Sequence, residues 1–190
     1  MDNTQPERVD VRIADVRLDA SETQVRIAIN DEVVDEYVQL LTSMPGEWPF
    51  PPIIVFRDES SSAARPTYWM SSGWHRTFAA RAAGRESVPG IVREGTSHDA
   101  FCAGIAANAG HGLRMSRADR RHCVEVLLRS EAHTYREIAE LASVALRTVT
   151  RVAADQRLAA ADDAVDDADD DDAADDAVDD ADDDDAADDA

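Results

Sequence analysis

The fold of this chain can be inferred outward from one segment, Thr67-Tyr68-Trp69-Met70-Ser71-Ser72-Gly73-Trp74-His75-Arg76. Its aromatic first half predicts a short strand, Gly73 predicts a tight turn, and residues 77–84 predict a helix that ends at a glycine. A strand that turns directly into a helix brings backbone N–H groups and the positive end of the helix dipole to one point. Because His75 and Arg76 add donors and charge there, we expect Gly73, His75 and Arg76 to bind a phosphate. The alternative is that Gly73 only makes a turn and Arg76 is an ordinary surface charge.

Charge is distributed unevenly along the chain. The formal net charge of −21 comes almost entirely from residues 161–190, which contain 18 Asp and no basic residue. Residues 111–160 contain nine Arg against six acidic residues, together with three histidines. An acidic segment, a basic segment and an extremely acidic segment therefore follow one another, and such asymmetry is one indication of contact with nucleic acid.

The two cysteines and the apolar runs bear on the cell compartment. Cys102 and Cys123 stand alone without paired-cysteine spacing, which is typical of a reduced, intracellular protein. No apolar run approaches the roughly 20 residues that span a membrane, and the first residues do not have the pattern of a signal peptide. We therefore expect a cytoplasmic protein with no membrane partner.

Periodicity predicts an α+β fold in the first part of the chain. Alternating or continuous apolar residues predict four further strands, at Val9–Ile13, Val25–Ile29, Ile53–Phe56 and Val88–Val92, the last interrupted by Pro89-Gly90. The run at Ile53–Phe56 has no polar residue, so we expect a central strand that is covered on both faces. Between the second and third strands, Asn30 or Asp31 is expected to cap a helix that ends at Pro45-Gly46.

The second part of the chain is predicted to be helical only. Ser97 is expected to cap a helix through Ala107. Ser116 with Asp119, and Thr134 with Glu137, have the spacing of capping boxes at the starts of two more helices. The predicted organisation is a flexible N-terminus, a small mixed sheet with helices, an all-helical part and a disordered acidic tail, at residues 1–8, 9–113, 114–160 and 161–190.

Apolar spacing after Thr134 is that of a helix-turn-helix. Ala139 is the small residue where the second helix would cross the first, Val144 lies in the turn, and Val149 and Val152 lie on the buried side of the second helix. The opposite face would carry side chains that suit contacts to DNA phosphates and base edges: Arg147, Thr148, Thr150 and Arg151.

Two positions depart from the usual helix-turn-helix pattern. Ser143 occupies the turn position that glycine usually takes, and Ala145 occupies the position of a serine or threonine cap, whose loss costs on the order of 1 kcal/mol. The alternative interpretation is an ordinary helical hairpin that closes the core.

The last thirty residues are an acidic repeat. Residues 161–173 read ADDAVDDADDDDA, and residues 174–186 repeat this sequence letter for letter. Thirteen residues do not return to the same helix face, and crowded aspartates repel one another, so the tail is predicted to be disordered. It is interpreted as a solubilising repeat expansion, or alternatively as a mobile DNA mimic that competes with phosphates for the basic helices.

Several motifs in combination resemble the ParB/sulfiredoxin superfamily, and in particular ParB N-terminal-domain proteins of the regulator and phage type. The resemblance covers about residues 10–155, and its motifs are Pro51-Pro52 before an apolar strand, Tyr68-Trp69, Gly73-Trp74-His75-Arg76, Gly95-Thr96 with Asp99-Ala100, Ala107–Leu113, Ala118-Asp119-Arg120-Arg121 and the terminal helix-turn-helix. It implies a ParB-like nucleotide-binding fold joined to a DNA-binding helical part. The implied cofactor is CTP or another nucleotide, with Gly73, His75 and Arg76 at its phosphates.

A second motif of this family also contacts phosphates and a magnesium ion. Asn108 matches that motif, His111 occupies the position of its arginine, and Ala107 occupies the position of its glutamate. The missing carboxylate argues against Mg²⁺ binding and against nucleotide hydrolysis. Trp74 stands where sulfiredoxins have their reactive cysteine, so sulfiredoxin chemistry is not expected, and no catalytic or metal-binding residue is assigned.

The sequence is therefore interpreted as a DNA-binding ParB-like protein, either a transcriptional regulator or a partition-like accessory, with a pocket that senses a nucleotide or another phosphate. One alternative is a nucleotide hydrolase or kinase of the same superfamily. Another is a degenerate relative that retains only the fold. Recognition of a palindromic DNA site would require a homodimer.

Overall fold

The computed structural model describes residues 8–19, 23–58, 60–62, 66–110 and 115–169. Within these ranges the chain forms five strands and six α-helices, with a short 3₁₀ turn at Ile13–Asp15. The strands are β1 (Arg8–Arg12), β2 (Val16–Arg17), β3 (Ile53–Arg57), β4 (Tyr68–Ser72) and β5 (Ser87–Glu94). The helices are α1 (Asp31–Ser43), α2 (Trp74–Ala82), α3 (Ser97–Gly110), α4 (Arg117–Arg129), α5 (Tyr135–Leu141) and α6 (Leu146–Asp169).

The five strands form one mixed sheet in the order β1-β5-β3-β4-β2. β5 is antiparallel to β1 and parallel to β3, and β4 is antiparallel to β3 and parallel to β2. β3 is the middle strand of this sheet, as predicted. Ile53 and Val55 have no exposed surface, Phe56 is buried and Ile54 is half-buried, so both faces of the strand are largely covered. The α+β fold class is confirmed as well.

β5 is longer than predicted and runs through Pro89-Gly90 without a break. In the register between β1 and β5, Asp10 lies opposite Pro89 and Val11 lies opposite Val88. A Cβ atom on Gly90 would lie 2.6 Å from Val11 Cγ2, so this glycine lets β1 approach β5 closely. The glycine therefore serves strand packing here, whereas the sequence suggested a break.

The prediction of a strand at Val25–Ile29 is wrong, because residues 23–30 form a loop against α4. Ile27 N donates to Asp119 Oδ1 at 3.1 Å, and Cys123 Sγ donates to Val25 O at 3.6 Å. Side chains of α4 thus bond this backbone where a strand would need a neighbouring strand. Val25 is buried while Ile27 is 59% exposed, so the alternation of apolar residues does not mark one covered face.

Two hydrophobic clusters hold the described residues together. The first joins the sheet to α1 and α2, with Val11, Leu41, Ile53, Met70 and Ala79 among its members. The second joins Val25 to α3, α4, α5 and the start of α6, with Phe101, Leu127, Ile138 and Val149 among its members. The chain divides into two compact units, residues 1–153 and 154–190. The predicted boundary at residues 113/114 stays a prediction, and residues 111–114 lie outside the described ranges.

Helix caps appear where the sequence predicted them at α1, α4 and α5. At α3 the prediction is wrong by one residue, because Ser97 is the first residue of the helix and Thr96 is its cap, with Asp99 N donating to Thr96 Oγ1 at 3.2 Å. Asn30 accepts from the backbone N–H groups of Glu32 and Val33 at the start of α1. Ser116 with Asp119 and Thr134 with Glu137 each form a reciprocal capping box, at α4 and α5. These bonds satisfy N–H groups that have no partner within the helix.

α6 extends further than the predicted domain limit. It reaches Asp169, so the first nine residues of the predicted disordered tail are helical. Extending an existing helix by alanine-containing sequence avoids the cost of nucleation, which explains the continuation. The tail beyond Asp169, like residues 1–7 of the predicted flexible N-terminus, lies outside the described residues, whereas Arg8 begins β1. No described helix combines the length and apolarity that crossing a membrane requires.

Candidate functional site

Gly73 makes the turn from β4 into α2. Its φ of +112° lies in the left-handed region, and an added Cβ atom would lie 2.6 Å from Ile53 Cγ2. Glycine is therefore required here both by conformation and by space. Gly73 is also the N-cap residue of α2, and it offers no side-chain hydrogen bond to the first turn. The positive end of the α2 dipole is consequently available to an anion.

A cleft of about 180 Å³ opens at this helix end. Four of the predicted phosphate-binding residues line it together: Gly73, His75, Arg76 and Asn108. The fifth, His111, lies outside the described residues. The cleft is smaller than the roughly 300–1,000 Å³ of pockets that enclose a drug-sized ligand. It therefore has room for part of a nucleotide.

The guanidinium of Arg76 is bonded to the backbone that precedes β3. Its Nη1 atom donates to Pro51 O at 2.5 Å and to Pro52 O at 3.0 Å. Burial lowers the pKa of Arg76, and Tyr37 partly opposes this effect. An arginine held in this way keeps its positive charge close to the cleft in a fixed position.

His75 is held in its neutral form. Its Nε2 atom accepts a hydrogen bond from the Asn30 backbone N–H at 3.1 Å, which assigns the ring proton to Nδ1. The pKa of His75 is lowered by burial first, and then by the positive charges of Arg26 and Arg76. The imidazole thus joins the N-cap residue of α1 to the first turn of α2 without adding charge at neutral pH.

Arg26 is a cleft residue that the sequence did not reveal. Its Nη2 atom donates to Asn108 Oδ1 at 3.1 Å, and its Nη1 atom lies 3.8 Å from Asp119 Oδ2. Asn108 in turn donates to Gly104 O at 2.8 Å, so Arg26 and Asn108 fix each other's orientation. In the predicted strand at Val25–Ile29, Arg26 would have pointed to the face opposite Val25 and Ile27, and only the loop conformation turns it toward the cleft. Its one signal in the sequence is an isolated charge between apolar residues.

The remaining polar groups of the cleft favour an anion over a metal ion. Among the described residues that line it there is no aspartate or glutamate, while Arg26 and Arg76 supply positive charge. Mg²⁺ prefers carboxylate and other oxygen ligands, so this donor set does not fit a protein-held magnesium ion. Trp74 also lines the cleft, while its Nε1 atom is buried and has no hydrogen-bond acceptor among the described residues.

The predicted DNA-contacting residues lie on α6 and are not among the residues that line the cleft. α5 ends at Leu141, and the chain turns through Ser143, which has a φ of +53°, before α6 begins at Leu146. Val149 and Val152 have no exposed surface and belong to the same buried cluster as Ile138 and Ala139. The predicted DNA-contacting residues Arg147, Thr150 and Arg151 are exposed, and Thr148 is partly exposed. Thr150 Oγ1 donates to Leu146 O at 3.3 Å.

Comparison with protein families identifies the first 109 residues. The family model described as "ParB N-terminal domain" matches residues 1–109, which is more than half of the chain. This chain belongs to the ParB N-terminal domain family. The cleft at Gly73 lies within the matched part of this ParB-family chain, whereas α4, α5 and α6 lie beyond it.

The ParB-family chain is also similar to individual proteins. It is 29% identical over 115 residues to "Transcriptional regulator NovG" of Streptomyces niveus, a match that covers 60% of this chain and 33% of that protein. The chain thus spans about a third of the length of this relative.

Three solved structures are similar to this chain. ParB of Caulobacter crescentus complexed to the centromeric parS site has a TM-score of 0.48, with 19% identity and coverage of 76% of this chain and 69% of that one. The same protein complexed with CTP-gamma-S has a TM-score of 0.45, with 19% identity and coverage of 77% and 76%. Sulfiredoxin of Arabidopsis thaliana has a TM-score of 0.38, with 21% identity and coverage of 50% and 92%.

Proposed function

We propose that this ParB-family chain is a cytoplasmic DNA-binding protein, a transcriptional regulator or partition-like accessory, that contacts DNA through α6. Similarity to a transcriptional regulator over 60% of the chain supports the regulatory assignment. Nine arginines against six acidic residues in residues 111–160 supply the charge that attracts a DNA backbone.

One observation carries the proposal, namely the register of α6. The two apolar residues at helix-turn-helix offsets, Val149 and Val152, are fully buried, and Arg147 and Arg151 are exposed one turn apart. A recognition helix needs this division, because one face must pack on the preceding helix while the other meets phosphates and base edges. An ordinary hairpin would bury the same valines but would have no need of arginines on the outer face.

Selection from a mixed duplex library with the full-length protein tests DNA recognition. We expect enrichment of one sequence, and we expect Arg147→Ala/Arg151→Ala to lose it. The matched control is Arg8→Ala/Arg93→Ala, which removes two exposed arginines from the sheet and should retain enrichment. For the enriched site, the double variant on α6 should also lower the dependence of log K on log salt by about two, since each phosphate contact contributes about one.

Other outcomes of this selection would contradict the proposal. If both double variants lose affinity equally and no sequence is enriched, the arginines act only by releasing counterions from DNA.

A palindromic enriched site would in addition predict a homodimer, which sedimentation of the complex would measure.

We further propose that the cleft at Gly73 holds the phosphates of CTP or another nucleotide. Support comes from the unblocked N-terminus of α2 and the two arginines at the cleft. The cleft volume suits phosphates held inside, with the rest of the nucleotide at its mouth. Arg26 and Asn108 would contact these phosphates together with the first turn of α2.

Calorimetric titration with CTP, ATP and inorganic phosphate tests the cleft. Arg26→Gln is expected to weaken nucleotide binding at least tenfold, whereas Arg81→Gln, which removes a charge from the far end of α2, should leave it unchanged. Equal affinity of both variants would contradict a phosphate site at the cleft. If inorganic phosphate binds with the same affinity as CTP, the cleft is a site for a simple anion and not for a nucleotide.

A further inference from the structure

Three side chains that the proposed function does not use converge at the base of α5. His98 and Cys102 lie one turn apart on α3, and His133 directly precedes Thr134, the N-cap residue of α5. One ligand atom of each residue lies within 4.8 Å of the other two. All three side chains are partly buried, so solvent reaches the cluster only in part.

The distances between these atoms can be compared with those of a zinc site. His98 Nε2 lies 2.8 Å from His133 Nε2, and Cys102 Sγ lies 3.5 Å and 3.8 Å from the same two nitrogens. Zn–N distances of about 2.0–2.1 Å and Zn–S distances of about 2.3 Å place tetrahedral ligands ~3.5 Å apart for N and S, and ~3.3 Å apart for two N. The sulfur separations match this geometry, and the two imidazoles would need to separate by about 0.5 Å.

A metal ion at the cluster would have to displace one proton, that of the Cys102 thiol. Burial, and then the neighbouring His133, lower the pKa of His98. Burial raises the pKa of the Cys102 thiol, with a further contribution from Asp99. A bound cation would displace the thiol proton, which makes the thiolate available as a ligand.

The nearest carboxylate is committed to another role. Asp99 Oδ2 accepts from both the backbone N–H and the hydroxyl of Thr96, at 2.8 Å each, and so caps the start of α3. The protein therefore supplies two imidazoles and one thiolate, and the fourth tetrahedral position remains for water or an external ligand. Imidazole and thiolate together favour zinc among the common divalent ions.

We propose that His98, Cys102 and His133 form a binding site for zinc. The ion would join α3 to His133, the residue before the N-cap of α5, and so fix the helical pair α5–α6 against α3. The competing explanation is a hydrogen bond between two neutral imidazoles with a thiol beside it. The distances between the three side chains are compatible with both explanations. The two differ in whether a metal ion added to the protein binds the Cys102 thiolate.

Titration of the full-length protein with Co²⁺ distinguishes the two explanations. We expect one equivalent to give a charge-transfer band between the thiolate and Co²⁺, and stoichiometric Zn²⁺ to remove it. Aspartates of the acidic tail also attract Co²⁺, but they contain no sulfur and give no such band. Cys102→Ser should abolish the band, and His98→Asn and His133→Asn should each weaken binding at least tenfold, as measured by competition with a chelator.

Cys123 provides the matched control. Burial first, and then Asp119, raise the pKa of its thiol to about 12, and Cys123→Ser should keep the full band. On the unmodified protein, Zn²⁺ should slow alkylation of Cys102 at least tenfold and leave Cys123 unchanged, a readout that needs no variant to fold. A folded protein that shows no band, or that keeps the band in Cys102→Ser, or whose Cys102 reacts equally fast with and without Zn²⁺, overturns the proposal.

Discussion

Arginines serve opposite purposes at the cleft and on α6. Arg76 is partly buried and donates to the carbonyls of Pro51 and Pro52, so its charge is fixed at one point of the fold. Arg147 and Arg151 are exposed and lie on the outer face of a helix whose inner face is fully buried at Val149 and Val152.

Because of this difference, we expect substitution of Arg76 to lower the stability of the fold, and substitution of Arg147 or Arg151 to affect mainly DNA binding. Removing a partly buried donor leaves carbonyl groups without a partner, which destabilises the fold as well as any bound ligand. Removing an exposed arginine changes the surface charge and little else. A chain that uses only arginine for positive charge thus obtains two behaviours from one residue type through burial.

Gly73→Ala is expected to give the largest loss of stability at the cleft. The left-handed φ of +112° and the 2.6 Å approach to Ile53 Cγ2 both oppose a side chain. Together they predict a decrease of about 2–5 kcal/mol in the free energy of unfolding, from about 1–2 for the conformation and about 1–3 for the overpacking. Urea unfolding measures it.

Gly84→Ala separates the two causes. Gly84 also has a positive φ, +73°, but nothing lies within 4 Å of an added Cβ atom. Its substitution should therefore cost only about 1–2 kcal/mol, the conformational part. Equal losses for the two variants would mean that contact with Ile53 has no energetic role at the turn.

Arg76→Ala and Arg147→Ala test the comparison of the two regions directly. The first removes hydrogen bonds from a charged donor to Pro51 O and Pro52 O, and is expected to lower the free energy of unfolding by about 2–3 kcal/mol. The second should change it by no more than about 0.5 kcal/mol while weakening DNA binding. Urea unfolding of both variants under one set of conditions measures the difference, and similar losses would show that burial does not distinguish these arginines.

Much of the fold could be predicted from local sequence. The apolar run at Ile53–Phe56 and the capping residues Asn30, Ser116 and Thr134 each act over a few residues, and each appears where it was expected. The strand expected at Val25–Ile29 failed because its backbone bonds to Asp119 and Cys123 of α4, about ninety residues later. Alternation alone cannot tell a strand from a loop whose partner is distant in sequence.

Only part of the candidate site could be predicted, because some of its residues are adjacent in sequence and others are brought there by distant contacts. Gly73, His75 and Arg76 are adjacent in sequence, so one turn places them together. Arg26 joins them only because the loop at residues 23–30 turns it toward Asn108. At the proposed zinc site, the four-residue spacing of His98 and Cys102 was a usable signal, whereas His133 is brought near by packing of α3 beside α5.

Stability is expected to decrease as the pH falls from above 6.5 towards 5. The pKa of His75 is lowered in the folded state, so between that value and about 6.5 the unfolded chain binds a proton that the folded chain does not. Its contribution is complete above the unfolded pKa and is lost as the pH falls through the folded one. The carboxylates with lowered pKa, such as Asp119, act in the same direction but only at more acidic pH.

His75→Gln should reduce the slope of stability against pH in that window. The amide oxygen of glutamine can still accept from the Asn30 N–H group, so the contact between α1 and α2 is retained without the titrating ring. His98, whose pKa is also lowered, remains as the residual source of the slope. Urea unfolding at pH 5 and at pH 7 measures the change, and an unchanged slope would contradict the assignment to His75.

Ala145→Ser is expected to have the smallest effect, and it is stabilising. Ala145 immediately precedes α6, and Thr148 N already donates to its carbonyl oxygen at 2.8 Å, which places residue 145 at the helix cap. A serine hydroxyl there can accept from an unpaired N–H group of the first turn, which is typically worth about 0.5–1 kcal/mol. Ala132→Ser, an exposed position that is not a cap, should change the free energy of unfolding by less than that amount. If Ala145→Ser stabilises no more than Ala132→Ser, the N–H groups in the first turn of α6 already have hydrogen-bond partners. The absence of a serine or threonine cap would then not weaken the α5–α6 pair.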